Sequence, residues 1–238
     1  MSGWLQHLAI VPILLPLAAG ALMLLFNERR HQLKAGINLT ATLLLAANAL
    51  VLLAEAAGAP ADAAVAEVYL LADWEAPFGI VLVVDRLSAM MLVLVAALGL
   101  AALVFSLARW HRAGTYFHPL FQFLLMGLNG AFLTGDLFNL FVFFEVLLAA
   151  SYGLALHGSG SLRVKAGLHY IAINLAASLV FLIGVALIYG VTGTLNMADL
   201  AARVPTVVGG DRVLLEVGAA VLGIAFLTKA GMWPLCFW

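Results

Sequence analysis

Two ionisable side chains stand inside long uncharged stretches of this 238-residue chain. Glu145 lies in the run Phe141-Val142-Phe143-Phe144-Glu145-Val146-Leu147-Leu148, with no Lys or Arg within a helical turn. Lys229 lies in Phe226-Leu227-Thr228-Lys229-Ala230-Gly231-Met232-Trp233-Pro234. Charge in apolar surroundings is costly, so such groups face protein or water and mark ion or proton paths when they occur within a membrane. Glu145 has a plainer reading, a protonated carboxyl that only hydrogen-bonds between helices. Lys229 has one too, an amine that snorkels to the headgroups. Gly231 and Pro234 weigh against the latter, because they break a helix just past the lysine, and broken helices at depth line cavities.

A weaker signal accompanies them. Tyr170, Asn174 and Ser178 recur every four residues and share one helix face. Such a stripe can hold water or join helices. His169, one residue away, can titrate near neutral pH or simply face headgroups. These four are the candidate relay, with Glu145 and Lys229 the candidate proton-transfer pair. Gln122 and Asn129, seven apart, are read as packing, and Asp136 as a cap on the turn before it. His7, His31, His111, His118, His157 and His169 look scattered in depth, with no paired-histidine signature for haem or quinone. There is no HExxH, CxxC, Walker A or GxSxG, so no catalytic centre, metal site or cofactor is expected. Cys236 is the one cysteine and cannot form an internal disulfide.

The elements that position these residues follow from composition. Hydrophobic residues make up 65% and charged residues 10% of the chain, against about 45–50% and 25% in soluble domains. Eleven Lys and Arg against twelve Asp and Glu leave no basic field for nucleic acid. Uncharged runs lie at 8–26, 35–54, 87–108, 113–135, 137–156, 166–191 and about 213–238. They are too long for barrel strands and lack their alternation. The expected fold class is therefore all-α, a polytopic transmembrane bundle of about seven spans in the lipid bilayer.

Loop charges give an orientation. Arg29, Arg30 and Lys34 follow span 1, Arg109 and Arg112 follow span 3, and Arg163 and Lys165 follow span 5. The loop between spans 2 and 3 carries Glu55, Asp62, Glu67, Asp73, Glu75 and Asp85. Basic loops belong on the cytoplasmic side, so the N-terminus is expected outside an inner membrane. Nothing before Leu8 is basic, so the first run does not read as a cleaved signal. The excursion at about 55–86 contains two short apolar runs around a turn at 74–79, a small hairpin. Residues 195–202 can form a short amphipathic helix at the outer surface. On a ruler of about 1.5 Å per residue, Glu145 and Lys229 are offset by about 12 Å along the membrane normal. That is too far for a direct ion pair but permits a water-linked one.

Residues 135–156 (GDLFNLFVFFEVLLAASYGLAL), 166–200 (ending TGTLNMADL) and 227–238 (LTKAGMWPLCFW) resemble the D subunit of Mrp multisubunit monovalent-cation/proton antiporters. That family shares a superfamily with the antiporter-like proton-pumping subunits of respiratory complex I. The resemblance implies that Glu145 is the family's fifth-helix glutamate and Lys229 the lysine of its broken seventh helix, a pair driving protons through a half-channel. Cys236 and His169 replace residues common in complex I and favour the Mrp branch. The implied organisation is a three-helix segment at 1–112, then 113–238 as an incomplete first antiporter-like repeat ending in the broken helix, so the chain reads as truncated. The implied function is proton-coupled export of a monovalent cation, sodium first, together with partner membrane subunits. The alternatives are a proton-translocating subunit of an NADH–quinone oxidoreductase, or a structural or assembly subunit without transport.

Overall fold

The computed structural model describes residues 5–27, 29–58, 67–74, 79–158 and 160–236. Helices fill the apolar runs: α1 (Val11–Leu24), α2 (His31–Gly58), α3 (Arg86–Leu107), α4 (Phe117–Leu133), α5 (Leu137–Ala155), α6 (Ser161–Thr192) and α8 (Gly210–Lys229), with the short α7 (Met197–Arg203) between the last two. α2, α3, α5 and α6 are each long and apolar enough, by length and composition, to cross a membrane; α1 and α4 are shorter and apolar. The structure is the expected all-α bundle.

Four boundaries differ from the apolar runs, each for a physical reason. The first run splits into a 3-10 turn (Leu5–Ala9) and α1, whose start holds Pro12. The fourth run loses its beginning, because residues 113–116 form a bend before α4. The sixth helix extends back to Ser161 through Arg163 and Lys165, since charge ends an apolar run but not a helix. The seventh stops at Lys229 rather than continuing to 238, and residues 237–238 lie outside the described part.

Prolines inside a helix leave carbonyls without their usual donors. Pro16 cannot donate to the Pro12 carbonyl, and Asn129 Nδ2 from α4 donates to it instead at 3.0 Å. Pro12 cannot donate to the Leu8 carbonyl, and Asn48 Nδ2 from α2 donates there at 3.3 Å. Both asparagines are buried. Gln122 uses a different partner helix, donating to Asn38 Oδ1 on α2 at 2.7 Å. The packing role expected for Gln122 and Asn129 thus ties α4 to two different neighbours.

The acidic excursion folds as an antiparallel pair, β1 (Glu67–Leu70) with β2 (Val81–Val84), in register Glu67 to Val84. Residues 59–66 and 75–78, which include the start of the first apolar run and most of the turn, lie outside the described part. The pair is sewn to the helix ends. Gly135 N–H donates to the Val81 carbonyl at 2.8 Å, and Leu137 N–H to the Leu195 carbonyl at 3.0 Å. Asp136 caps α5 through the amides of Phe138 and Asn139, as expected. Asn196 caps α7 in the same way. This is the hairpin end of the bundle; the Arg- and Lys-bearing connections form the basic end.

Two close approaches set the helices that hold Glu145 and Lys229. A Cβ on Gly184 of α6 would come within 2.8 Å of the Leu222 backbone nitrogen of α8, and one on Gly127 of α4 within 2.7 Å of the Leu147 nitrogen of α5. Missing side chains let backbones meet, the usual device where lipid supplies no hydrophobic drive between helices.

Candidate functional site

Lys229 is the last residue of α8. Gly231, at φ +63°, takes the left-handed conformation. Gly231 N–H donates to the Thr228 carbonyl and Met232 N–H to the Leu227 carbonyl, both at 3.1 Å. This is a Schellman cap, which glycine permits and which ends the helix one residue past the lysine. The helix break read from Gly231 is therefore present.

Lys229 Nζ donates to Ser178 Oγ of α6 at 2.9 Å. The Ser178 hydroxyl donates in turn to Glu145 Oε1 of α5. One buried hydroxyl thus joins an amine and a carboxyl from two other helices, each half-buried. The Phe144 ring lies 5.5 Å from Nζ, within cation–π range. The offset of about 12 Å from the ruler does not hold, because Glu145, 8 residues after the start of α5, and Lys229, 19 residues after the start of α8, meet at the same serine, so the two helices do not begin level along one common axis. Lysine also points back toward the N-terminus of its helix, here toward Glu145.

The bridge is closed on one side and open on the other. Toward the hairpin end, the rings of Phe141 and Phe144 pack on Phe181, and Phe226 packs on Phe144 and Phe181, with centroid distances of 5.5 to 6.3 Å. Phe181 is fully buried, and Val185 and Ile188 continue the plug along α6. Toward the basic end lies a cavity of about 370 Å³ lined by Ser151, Tyr170, Asn174 and Lys229 among others.

The expected stripe divides by role. Ser178 makes the bridge. Tyr170 and Asn174 line the cavity, Tyr170 OH lying 3.1 Å from Ser151 Oγ of α5 and Asn174 Nδ2 donating to the Tyr170 carbonyl at 3.0 Å. His169 is exposed on the adjoining face, and the network just described does not pass through it. Two residues escaped the sequence reading, Ser151 and Tyr152. The Tyr152 hydroxyl is buried without a hydrogen-bond partner, its ring 5.4 Å from that of Tyr170. The signal available was Tyr152, seven residues after Glu145 and so on the same face of α5; Ser151 lies about 120° around the helix and carried none.

The histidines are a correction. They are not scattered: His31, His111, His118 and His157 converge at the basic end. His111 Nδ1 lies 3.2 Å from His118 Nε2, the rings of His31 and His111 are 6.4 Å apart, and Phe117 packs between His118 and His157. Lys34, read only as a topology signal, is 1% exposed beside them. The bend before α4 folds His111 back onto the start of that helix, which a depth count along a straight span cannot show. Among the described residues, no group of three or more His, Cys, Asp or Glu is placed to hold a metal ion.

Residues 134–238 match the family described as "NADH:quinone oxidoreductase/Mrp antiporter, TM". All of this chain aligns with 44% of the probable K(+)/H(+) antiporter D subunit of Rhizobium meliloti at 61% identity. It aligns over 98% of its length with 46% of the Na(+)/H(+) antiporter D subunit of Alkalihalophilus pseudofirmus at 41% identity. The Mrp complex of Dietzia sp. DQ12-45-1b contains a chain that superposes with a TM-score of 0.83 over 99% of this one and 42% of itself, at 33% identity. The chain spans a little under half the length of the curated relatives it matches. Residues 134–238 thus match the transmembrane family of NADH:quinone oxidoreductases and Mrp antiporters, and the chain as a whole is similar to a little under half of antiporter D subunits.

Proposed function

We propose that this chain supplies a proton half-channel to a monovalent-cation/proton antiporter, and that Glu145 and Lys229 move the proton. The observation that supports it best is the Ser178 bridge with a cavity on one side and an aromatic plug on the other. Hydrogen bonds run in one direction, from Lys229 through Ser178 to Glu145. If the ammonium gives a proton to Ser178 while Ser178 gives its own to the carboxylate, an ion pair becomes a neutral pair. One proton shifts, no atom is lost, and the hydroxyl is regenerated. Half-buried surroundings impose on the ion pair a desolvation cost that the neutral pair does not carry. A charge arriving nearby then selects between them.

The relative at 61% identity is named for potassium and that at 41% for sodium. The sodium expectation accordingly widens to either ion. The chain works in a multi-pass inner-membrane assembly with other membrane subunits, its basic end cytoplasmic and its N-terminus outside, so the cavity opens to the cytoplasm. Residues 113–238 act as the first part of an antiporter-like repeat. A proton-translocating subunit of a quinone oxidoreductase remains the second reading, favoured by the shared family description of residues 134–238. Exchange separates them. Everted vesicles from cells expressing the intact gene product should lose a preformed proton gradient on addition of sodium or potassium. Glu145→Gln and Lys229→Arg should each abolish this at unchanged protein level, since glutamine does not titrate and arginine does not release its proton. Full exchange in Glu145→Gln would remove Glu145 from the mechanism.

A further inference from the structure

We infer that His111 and His118 form a second proton-binding site, at the basic end between α2 and α4, which holds one shared proton. The hydrogen-bond order fixes the tautomers. Gln122 Nε2 donates to Asn38 Oδ1 at 2.7 Å, which turns Asn38 Nδ2 toward His118 Nδ1 at 2.9 Å. Nδ2 only donates, so His118 Nδ1 is the acceptor and its proton sits on Nε2. That Nε2–H points at His111 Nδ1, 3.2 Å away, and the remaining His111 proton sits on its own Nε2. The chain Gln122–Asn38–His118–His111 is thus ordered, with four of four members buried. An added proton enters at His118 Nδ1 when the Asn38 and Gln122 amides turn over together, so that Asn38 Oδ1 accepts from it and Asn38 Nδ2 donates to the otherwise unpartnered Gln122 Oε1; the His118 Nε2 hydrogen then lies in an N–H⁺···N pair with His111 Nδ1. A second cannot follow, because both facing nitrogens would then carry hydrogens at that separation and two like charges would adjoin.

Among the described residues, the groups facing the pair are His31 and Lys34 from α2, Arg112 from the segment carrying His111, and His157 from the turn after α5, none of them a carboxylate that could neutralise a second charge. Burial, and after it the neighbouring Arg112 and His31, hold His111 below the ordinary histidine range. Gln122 Oε1 is buried without a partner, leaving an acceptor open where a water can extend the chain inward. This site stands apart from Ser178 and rests on neither Glu145 nor Lys229.

Nitrogen-15 NMR of histidine-labelled protein in lipid bilayers, titrated from pH 8 to pH 4, tests it. At pH 8, His118 should show a protonated Nε2 and a bare Nδ1. The two residues should together take up one proton on acidification. Asn38→Asp, which offers His118 Nδ1 an acceptor, should move that uptake up by at least one pH unit. His111→Gln should leave His118 as a single site. Two protons taken up at one midpoint, or an uptake unmoved in Asn38→Asp, would overturn the inference. No uptake across the range would also overturn it, leaving the pair a structural hydrogen bond.

Discussion

Ser178→Ala deletes the one oxygen that joins Lys229 to Glu145, and its consequence can be worked from the geometry. Hydrogen bonds to charged partners contribute about 1.5–3 kcal/mol each, so two of them amount to about 3–6 kcal/mol. The cavity of about 370 Å³ adjoins the bridge, so water can enter where the hydroxyl was. A bridging water is nearly as good as a direct bond and costs up to about 2 kcal/mol to immobilise. The net loss is therefore about 1–2 kcal/mol. If that loss falls on the proton-transfer barrier, exchange slows about 5- to 30-fold. Ser178→Thr keeps the hydroxyl but adds a methyl where Ser178 is 2% exposed. It should retain exchange within a few-fold while lowering thermal stability through overpacking by about 1–3 kcal/mol. The assay is cation-dependent proton flux in everted vesicles, normalised to protein in the membrane. Undiminished flux in Ser178→Ala would refute the bridge. So would equal losses in the alanine and threonine variants, because the hydroxyl would then be irrelevant.

Asn129→Leu should lower unfolding stability by about 1–3 kcal/mol, since it orphans the buried Pro12 carbonyl. Combined with Pro16→Ala, which restores a helical N–H to that carbonyl, the same change should cost less than about 1 kcal/mol. Equal costs in both backgrounds, measured by thermal melts, would reject the proline–asparagine pairing. For topology, single cysteines at Gln32 and Ser161 in a Cys236→Ser background should resist a membrane-impermeant thiol reagent in intact cells, while one at exposed Val68 should react. External labelling at 32 or 161 would reverse the orientation.

The fold was legible because lipid makes the code simple. Uncharged runs of about 20 residues leave few alternatives to helices, and all seven runs became helices. Errors fell where the rule speaks of charge rather than of backbone. Arg163 and Lys165 closed a run yet sit inside α6, since a charged residue at a membrane edge keeps its helix while its head finds water or a polar partner: Lys165 is exposed, and the Arg163 guanidinium lies over the Trp110 ring and donates to the His157 carbonyl. The hairpin was readable from two short β-prone runs, and the helix break from Gly231, because both depend on local backbone preferences. The clustering of His31, His111, His118 and His157 was not readable. It depends on the bend at 113–116 and on which face of α4 meets α2, and neither is encoded by depth.

The distance between Glu145 and Lys229 shows the same limit at the site itself. Counting residues measures length along one helix, but a contact between helices depends on where each begins and which faces meet. Those offsets come from pairings distant in sequence: Asp136 against Asn196 at the hairpin end, and Gly184 against Leu222 between α6 and α8. With α6 as the common partner, Ser178 comes level with both charged groups, though neither its type nor its spacing distinguished it from Tyr170 and Asn174. The same register decides the polarity of the site. Phe181 lies three residues from Ser178 toward the hairpin end, and Asn174 lies four residues away toward the basic end. A one-residue slip of α6 would rotate the serine by about 100° and carry it off the line between the charges. It would also swing Phe181 out of the plug. Sidedness and charge bridging are thus two consequences of one helix register, and a change that shifts α6 against α8, such as Gly184→Leu, should disturb both together.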